Sequence, residues 1–172
     1  MQRSISIKTE HQGTAPSITR RAVVGGLAST APLLAAGASV ATVLPKLVVT
    51  KDPTCGCCSG WVDHVRSEGF DAEVVETSQI NRVKARLGVP SNLHSCHTAE
   101  IGGYVVEGHV PASAVKRLLS ERPRITGLAV PGMPVGSPGM EVDGAEPDTF
   151  DVIAFTADRQ SVFARFRGQE PL

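Results

Sequence analysis

Short apolar runs and amphipathic segments alternate along the middle of the chain, and glycines and prolines mark their ends. β-branched runs of four or five residues between such breakers predict buried strands, and apolar residues three or four apart predict helices with one buried face. A glycine directly after a helical pattern is typical of a helix C-terminus. The predicted elements are, in chain order, strand 47–50, helix 58–68, strand 72–76, helix 79–87, strand 97–101, strand 104–107 and helix 112–121.

The order of these elements predicts an α/β fold. Gly102-Gly103 has the turn chemistry of a two-residue hairpin loop, so the fifth and sixth elements pair antiparallel. The resulting order, β-α-β-α-β-β-α, resembles the thioredoxin-like fold. Residues 127–144 then hold five glycines and three prolines, which predicts a Gly/Pro-rich flap without a regular element. Residues 152–155 and 162–166 predict an added C-terminal hairpin that extends the sheet.

The N-terminal segment has the pattern of an export signal. Residues 22–44 are uncharged, rich in Ala, Gly, Val and Leu, and follow the pair Arg20-Arg21. We therefore predict a signal peptide over residues 1–41, similar to a twin-arginine signal, and a mature domain over residues 42–172. An uncleaved membrane anchor is the alternative, since 23 apolar or small residues can span a bilayer. Both readings put the domain outside the cytoplasm, and we expect it in the periplasm.

The charge balance excludes some partners. The chain has 17 basic and 17 acidic residues, so no basic surplus is present to neutralise a nucleic acid backbone. Four of the basic residues and one acidic residue fall within 1–41, which leaves residues 42–172 with a formal charge of −3. That charge suits a soluble periplasmic protein, with membrane contact only through an uncleaved signal. Aromatic residues are 4% of the chain, so its core must consist mainly of aliphatic side chains.

Three of the four cysteines lie within four positions, at Cys55, Cys57 and Cys58. The cluster falls between the first predicted strand and the first predicted helix. Unpaired backbone N–H groups and the positive end of a helix stabilise thiolates at such a turn. A thiolate of low pKa serves equally well as a nucleophile in disulfide exchange and as a ligand for a soft metal. The motif alone therefore leaves both chemistries open.

The loop before the third predicted strand adds more donors. In a thioredoxin-like fold this loop lies beside the cysteine turn, and here it carries Cys96 and His97 where redox enzymes of the fold have a proline. Four thiols with one or two imidazoles suit Cu(I) or Zn(II). Met133 and Met140 in the predicted flap offer thioethers, which favour Cu(I) and bind zinc weakly. We therefore expect copper, with zinc as the second choice.

Other interpretations of these residues remain open. Cys55–Cys58 and Cys57–Cys96 disulfides would suit an oxidising compartment, although two bridges at one turn would constrain little chain. A Cys55–Cys58 dithiol couple would instead make the protein a thiol-disulfide oxidoreductase. A structural zinc site is a third interpretation. We expect Trp61 to be a core residue that covers the site, and two further histidines, His64 and His109, to be structural or solvent-facing.

Several motifs along the mature chain resemble those of the periplasmic copper-resistance family called CopG. They are Pro53-Thr54-Cys55-Gly56-Cys57-Cys58 with Trp61, Leu87-Gly88-Val89-Pro90, Ser95-Cys96-His97-Thr98, Tyr104, Glu107-Gly108-His109-Val110-Pro111, Gly127-Leu128-Ala129-Val130-Pro131-Gly132-Met133-Pro134 and Gly136-Ser137-Pro138-Gly139-Met140-Glu141.

This resemblance implies a thioredoxin-like fold whose cysteines bind copper as a multi-copper thiolate cluster, with a role in copper handling or resistance. It implies that the partners are copper ions and other periplasmic copper-handling proteins. Carried onto this sequence, it implies one set of ligands, namely Cys55, Cys57, Cys58 and Cys96, with His97, Met133 and Met140 as additions.

Overall fold

A computed structural model describes residues 43–172, which fold as a mixed α/β structure. The predicted export signal, residues 1–41, lies outside the described residues. The helices are α1 (Gly56–Ser67), α2 (Ile80–Arg86) and α3 (Ala112–Glu121), with a short 3₁₀ turn at Ser91–Leu93. The strands are β1 (Leu47–Lys51), β2 (Ala72–Glu76), β3 (His97–Ile101), β4 (Tyr104–Glu107), β5 (Gly127–Ala129), β6 (Thr149–Phe155), β7 (Gln160–Arg167) and β8 (Glu170–Pro171).

The strands of the described residues form one sheet of eight, in the order β2-β1-β3-β4-β5-β6-β7-β8. Strands β1 and β2 run parallel, as do β4 and β5, and the other neighbouring pairs are antiparallel. The two-residue turn at Gly102-Gly103 sets the β3–β4 register, with Ile101 opposite Tyr104 and Thr98 opposite Glu107. This register determines which side chains meet beyond the ends of the two strands.

The element order β-α-β-α-β-β-α is present from β1 to α3, and the predicted C-terminal hairpin is β6–β7, which extends the sheet. One expectation was wrong: residues 127–144 are not wholly irregular, because Gly127–Ala129 forms β5 between β4 and β6. A Cβ on Gly127 would lie 1.9 Å from the Val105 carbonyl oxygen, so the strands approach too closely for a larger residue. The Gly/Pro-rich flap is therefore the segment after β5, residues 130–144.

Apolar side chains pack on both faces of the sheet, as successive residues of a strand point to opposite sides. Val106 and Leu128 belong to the larger cluster, together with the buried faces of α1 and α3. Their strand neighbours Val105 and Ala129 belong to a smaller cluster that includes Leu93. Within residues 43–172, no helix is long and apolar enough to cross a bilayer.

Candidate metal centre

The cysteine cluster lies at the N-terminus of α1, with Cys55 as the N-cap residue in an extended conformation. Asp52 shapes the turn that leads into it. One of its carboxylate oxygens accepts hydrogen bonds from the Thr54 N–H at 2.9 Å and the Thr54 hydroxyl at 2.6 Å. Its backbone carbonyl accepts one from the Cys55 N–H at 3.1 Å. No acidic residue lies in the first turn of α1, so the positive end of the helix acts on the sulfurs without a competing carboxylate from that turn.

The sheet register brings the fourth cysteine to this turn. Lys51, the last residue of β1, lies opposite His97, the first residue of β3. The chain that follows β1 and the chain that precedes β3 therefore meet at the same edge of the sheet, which places Cys96 beside the first turn of α1.

The four sulfurs lie within 4.8 Å of one another. The Cys57 sulfur is 3.6 Å from the Cys55 sulfur and 3.8 Å from the Cys96 sulfur. Two sulfurs of a tetrahedral site with metal–sulfur bonds of about 2.3 Å are about 3.8 Å apart, so these spacings suit thiolates that share a metal. Cys58 is fully buried, and the other three cysteines are half-buried.

Cys55 and Cys58 are joined by a disulfide, whereas Cys57 and Cys96 are free thiols. Of the two bridges considered from the sequence, the Cys55–Cys58 bridge is therefore present and the Cys57–Cys96 bridge is not. The two free sulfurs lie 3.8 Å apart, in contact without a bond. Two of the four cysteines are thus available as ligands in this oxidised state, and all four after the disulfide is reduced.

His109 is a member of the site that the sequence analysis missed. Its Nε2 lies 2.9 Å from the Cys96 sulfur and its Nδ1 lies 2.8 Å from the carbonyl oxygen of Pro138. We expected a structural or solvent-facing histidine, yet it is fully buried against a thiol. The hairpin register contained the signal: a two-residue turn that pairs 101 with 104 and 98 with 107 also sets position 109 opposite position 96.

His97, the residue after Cys96, also contacts the Cys96 sulfur. Its Nδ1 is 3.5 Å from the Cys96 sulfur. The centre of its ring lies 4.4 Å from the ring centre of Trp61 and 5.1 Å from that of His109. The Trp61 side chain is buried and donates a hydrogen bond to the Val110 carbonyl at 2.9 Å. His97 is also fully buried, and its Nε2 has no hydrogen-bond partner within residues 43–172.

Burial keeps both imidazoles uncharged. It lowers the pKa of His97 well below the usual value, and the nearby His109 and Lys84 lower it further. Burial also lowers the pKa of His109, against a smaller opposing effect of the Pro138 carbonyl. A neutral imidazole has a free lone pair on one ring nitrogen, which is the form that binds metals. Cys96, His97 and His109 thus form a second donor group that overlaps the cysteine cluster.

Cys96 is a protonated thiol in the metal-free protein at neutral pH. Burial and the neighbouring Cys57 raise the pKa of Cys96 to about 12. Its backbone lies on a loop, so the helix end that favours thiolates at the other cysteines is not its own. A metal that binds this sulfur must displace its proton, and the lone pair of His109 lies where it can accept one.

The flap covers the first turn of α1. A Cβ on Gly139 would lie 2.5 Å from the backbone nitrogen of Trp61 and 2.8 Å from the backbone carbonyl oxygen of Cys57, so only glycine fits here. Met133 in the same flap is 54% exposed, and Met140, directly after Gly139, is half-buried. The flap therefore packs the residue before Met140 against α1, while Met133 faces solvent.

The other two histidines within residues 43–172 have backbone partners. His64 Nε2 accepts a hydrogen bond from the Ala112 N–H at 3.1 Å, and burial lowers the pKa of His64. His94 Nε2 lies 3.2 Å from the Val89 carbonyl, to which it donates. The Nε2 atom of each of these two histidines is thus engaged in a hydrogen bond with the backbone.

Comparison with known proteins gives three findings. A family model described as a protein of unknown function, DUF411, matches residues 93–140, which hold Cys96, both flap methionines and the site histidines His97 and His109. No curated protein matches. Two solved structures titled copper resistance protein CopG, Form 1 and Form 2, are each 43% identical with a TM-score of 0.67. The match to Form 1 covers 73% of this chain and 99% of the Form 1 chain, and the match to Form 2 covers 72% of this chain and 98% of the Form 2 chain. The chain belongs to the copper resistance protein CopG family.

Proposed function

We propose that this protein binds Cu(I) in the periplasm through the thiolates of Cys55, Cys57, Cys58 and Cys96, and so takes part in copper handling and resistance. One observation carries the proposal: four cysteine sulfurs lie within 4.8 Å of one another at a helix N-terminus. Thiolates are soft, negatively charged ligands that prefer Cu(I) among the common cellular metals. The copper resistance named in the titles of two related structures supports the choice of metal.

Binding through all four sulfurs requires a reduced site. An external dithiol would supply two electrons and two protons to the Cys55–Cys58 disulfide and would itself become a disulfide. Each copper ion would then displace the thiol protons of the sulfurs it contacts. Close thiolates shared between adjacent cuprous ions would offset the positive charge, as in a multi-copper cluster.

Nitrogen and thioether donors complete the proposed site. His97 and His109 flank the Cys96 sulfur as neutral imidazoles, and we include both as ligands or as partners that orient the thiolate. Met140 and Met133 lie in the flap that covers α1, and we propose that they add thioether ligands when copper is present. Of the two, half-buried Met140 is better placed than exposed Met133.

The proposal also includes the fold family, the export of the protein and its exchange partners. The strand order β2-β1-β3-β4, with α1 between β1 and β2 and α3 after β4, supports a thioredoxin-like core to which β5–β8 are added. Residues 1–41 would act as a twin-arginine export signal, and residues 42–172 would form the periplasmic domain. Copper ions would be its cargo, exchanged with other periplasmic copper-handling proteins.

A thiol-disulfide oxidoreductase is the second candidate, favoured by the Cys55–Cys58 disulfide at the start of α1. In the reduced protein, half-buried Cys55 would attack a substrate disulfide and release one substrate thiol. Buried Cys58 would then attack the Cys55 sulfur, release the second thiol and restore the protein disulfide. Cys96 has no part in this exchange, which makes it the residue that separates the two functions.

The test is elemental analysis of the mature protein, purified without chelator from the periplasm of copper-supplemented cells, with a free-thiol count and X-ray absorption at the copper edge. Copper at one or more equivalents as Cu(I), lost in Cys96→Ser and kept in Ser59→Ala, supports the proposal. Ser59 is an exposed neighbour of the cluster on α1 and serves as the matched control.

A metal-free protein whose Cys55–Cys58 disulfide reduces and reoxidises reversibly overturns the copper proposal. Disulfide reductase activity that survives Cys96→Ser and is lost in Cys55→Ser would then establish the oxidoreductase. Zinc in place of copper, with unfolding by a chelator that added Zn(II) reverses, would identify a structural zinc site instead.

A further inference from the structure

A fully buried ion pair lies next to the Cys96 loop. Lys84 Nζ and Glu107 Oε1 are 2.6 Å apart, and their side chains are 1% and 0% exposed. Neither residue is part of the donor set described above. Buried ion pairs are costly, and replacing one with apolar residues of similar size is often neutral or stabilising. The presence of this pair therefore calls for a role beyond stability.

Both carboxylate oxygens of Glu107 accept hydrogen bonds from neighbouring protein groups. Its Oε1 accepts from Lys84 Nζ and from the backbone N–H of Ser95, both at 2.6 Å. Its Oε2 accepts from the Thr98 hydroxyl at 2.6 Å, and that hydroxyl accepts in turn from Lys84 at 2.9 Å. The carboxylate, the ammonium group and the hydroxyl thus form a closed triangle with one bond directed outward, to Ser95.

The triangle rests on three regular elements. Glu107 is the last residue of β4, Thr98 is its register partner on β3, and Lys84 comes from α2. Ser95 belongs to the loop between the 3₁₀ turn and β3, directly before Cys96. The bond from its N–H to Glu107 therefore ties the loop to the sheet one residue before the thiol. A hydrogen bond to a charged acceptor is about twice as strong as a neutral one.

Two more contacts of Ser95 fix the same point of the chain. Its hydroxyl donates to the Gly132 carbonyl in the flap at 2.7 Å. Gly108, directly after Glu107, packs so closely that a Cβ there would lie 2.5 Å from the Ser95 oxygen. The loop is therefore held from β4, from the flap and from the Gly108 turn, and Glu107 supplies the only charge among these contacts within the described chain.

We infer that Glu107 is a positioning residue for the metal site: held by Lys84 and Thr98, it fixes the Ser95 amide and thereby sets the Cys96 sulfur against Cys57 and His109. This inference rests on the proposed function for its effect on copper. Its effect on the thiol itself does not depend on copper. The placement of Cys96 is therefore measurable in the reduced, metal-free protein.

The test compares two double variants that both remove the buried charges. In Lys84→Met/Glu107→Gln, the amide oxygen still accepts from the Ser95 N–H and the amide N–H can donate to Thr98. In Lys84→Met/Glu107→Leu, the acceptor for Ser95 is lost. Circular dichroism and thermal unfolding of the full chain establish that both variants fold. Should the second not fold, Glu107→Asp, which keeps the charge and shortens its reach by one methylene, takes its place.

The first readout is the alkylation rate of Cys96 relative to Cys57 by iodoacetamide, mapped by peptide mass in reduced, metal-free protein. We expect the Gln variant to stay near the parent ratio, because its amide oxygen still accepts from the Ser95 N–H. The Leu variant should change the ratio about tenfold, which corresponds to the loss of that hydrogen bond. General destabilisation would instead move both rates toward those of the unfolded chain, in proportion to the loss of stability that thermal unfolding measures. A folded Leu variant with the parent ratio would overturn the inference.

The second readout is Cu(I) affinity, measured by competition with a chromophoric Cu(I) chelator. Loss of a group that orients a metal ligand typically costs tenfold to a hundredfold in affinity, so we expect a loss of about that size in the Leu variant alone. Equal losses in both double variants would contradict a positioning role for the acceptor. Absence of copper binding in the parent would refute the proposed function, while the alkylation ratio would still decide the role of Glu107.

Discussion

The Nε2 of His109 lies 2.9 Å from the Cys96 sulfur, and the Nδ1 of the same ring lies 2.8 Å from the Pro138 carbonyl oxygen. A carbonyl only accepts, so the ring proton is on Nδ1 and the lone pair of Nε2 faces the thiol. The ring thereby links the flap to the cysteine site. A contact of the Nδ1–H with a carbonyl fixes the tautomer and orientation that a metal-binding imidazole needs.

Replacing His109 is expected to weaken copper binding without unfolding the protein. His109→Gln removes the lone pair that faces Cys96, so we expect Cu(I) affinity to fall about tenfold to a hundredfold in a chelator competition. His64→Gln is the control, because His64 is a half-buried histidine whose acceptor role toward the Ala112 N–H a glutamine can take over. Parent-like affinity in a folded His109→Gln protein would remove His109 from the site.

Copper binding is expected to strengthen as the pH rises. Because burial and Cys57 raise the pKa of Cys96 to about 12, this sulfur is protonated from pH 6 to 9 in the metal-free protein, and copper must displace the proton. Each displaced proton contributes about a tenfold gain in affinity per pH unit. In a competition of the reduced parent protein with a chromophoric Cu(I) chelator, the slope of log affinity against pH should therefore be at least one over this range. An affinity that does not change with pH would mean that copper does not displace this proton.

Local patterns in the sequence were enough to predict the strands and helices that position the cysteines. Strands β2, β3 and β4 and helix α3 have the predicted bounds, because breakers flank each of them and their apolar positions keep one period. Strand β5 was missed because its three residues, Gly127–Ala129, carry no periodic pattern of their own. Only the neighbouring strands β4 and β6 make this segment a strand.

The candidate site was predictable only where chemistry or register is visible in the sequence. The cysteines stand out by residue type, and the position of His109 opposite Cys96 follows from the hairpin register, although we did not use it. Lys84 and Glu107 are different, since a buried charged residue and an exposed one look alike in a sequence. Their pairing depends on how α2 packs against β3 and β4, which is a property of the tertiary structure.

Acid is expected to destabilise the metal-free protein through His97. Its pKa in the folded state lies well below the value of about 6.5 expected in the unfolded chain. The unfolded chain therefore takes up a proton first as the pH falls, so stability is full above pH 6.5 and declines below it, by up to about 1.4 kcal/mol per pH unit. His97→Leu should flatten this decline between pH 6.5 and 5 in urea unfolding. A decline equal to that of the parent would contradict the prediction.

Because the flap packs closely against α1, we expect substitution of Gly139 with alanine to destabilise the protein more than the same substitution at a glycine of similar backbone conformation. Gly139 has φ +82° and its Cβ would meet the backbone of α1, whereas Gly144 has φ +76° and nothing within 4 Å of its Cβ position. Gly144→Ala adds only left-handed strain, about 1 kcal/mol in the free energy of unfolding. Gly139→Ala adds the same strain and a backbone overlap, about 2–4 kcal/mol in total.

The same pair of variants also tests whether the flap belongs to the metal site. An alanine at 139 must push the flap away from α1, which would draw the Pro138 carbonyl from His109 and loosen the imidazole beside Cys96. We therefore expect Gly139→Ala to lose Cu(I) affinity, by about tenfold, and Gly144→Ala to keep it. If urea unfolding shows the extra destabilisation while both variants bind copper like the parent, the flap stabilises the fold but does not orient the ligands.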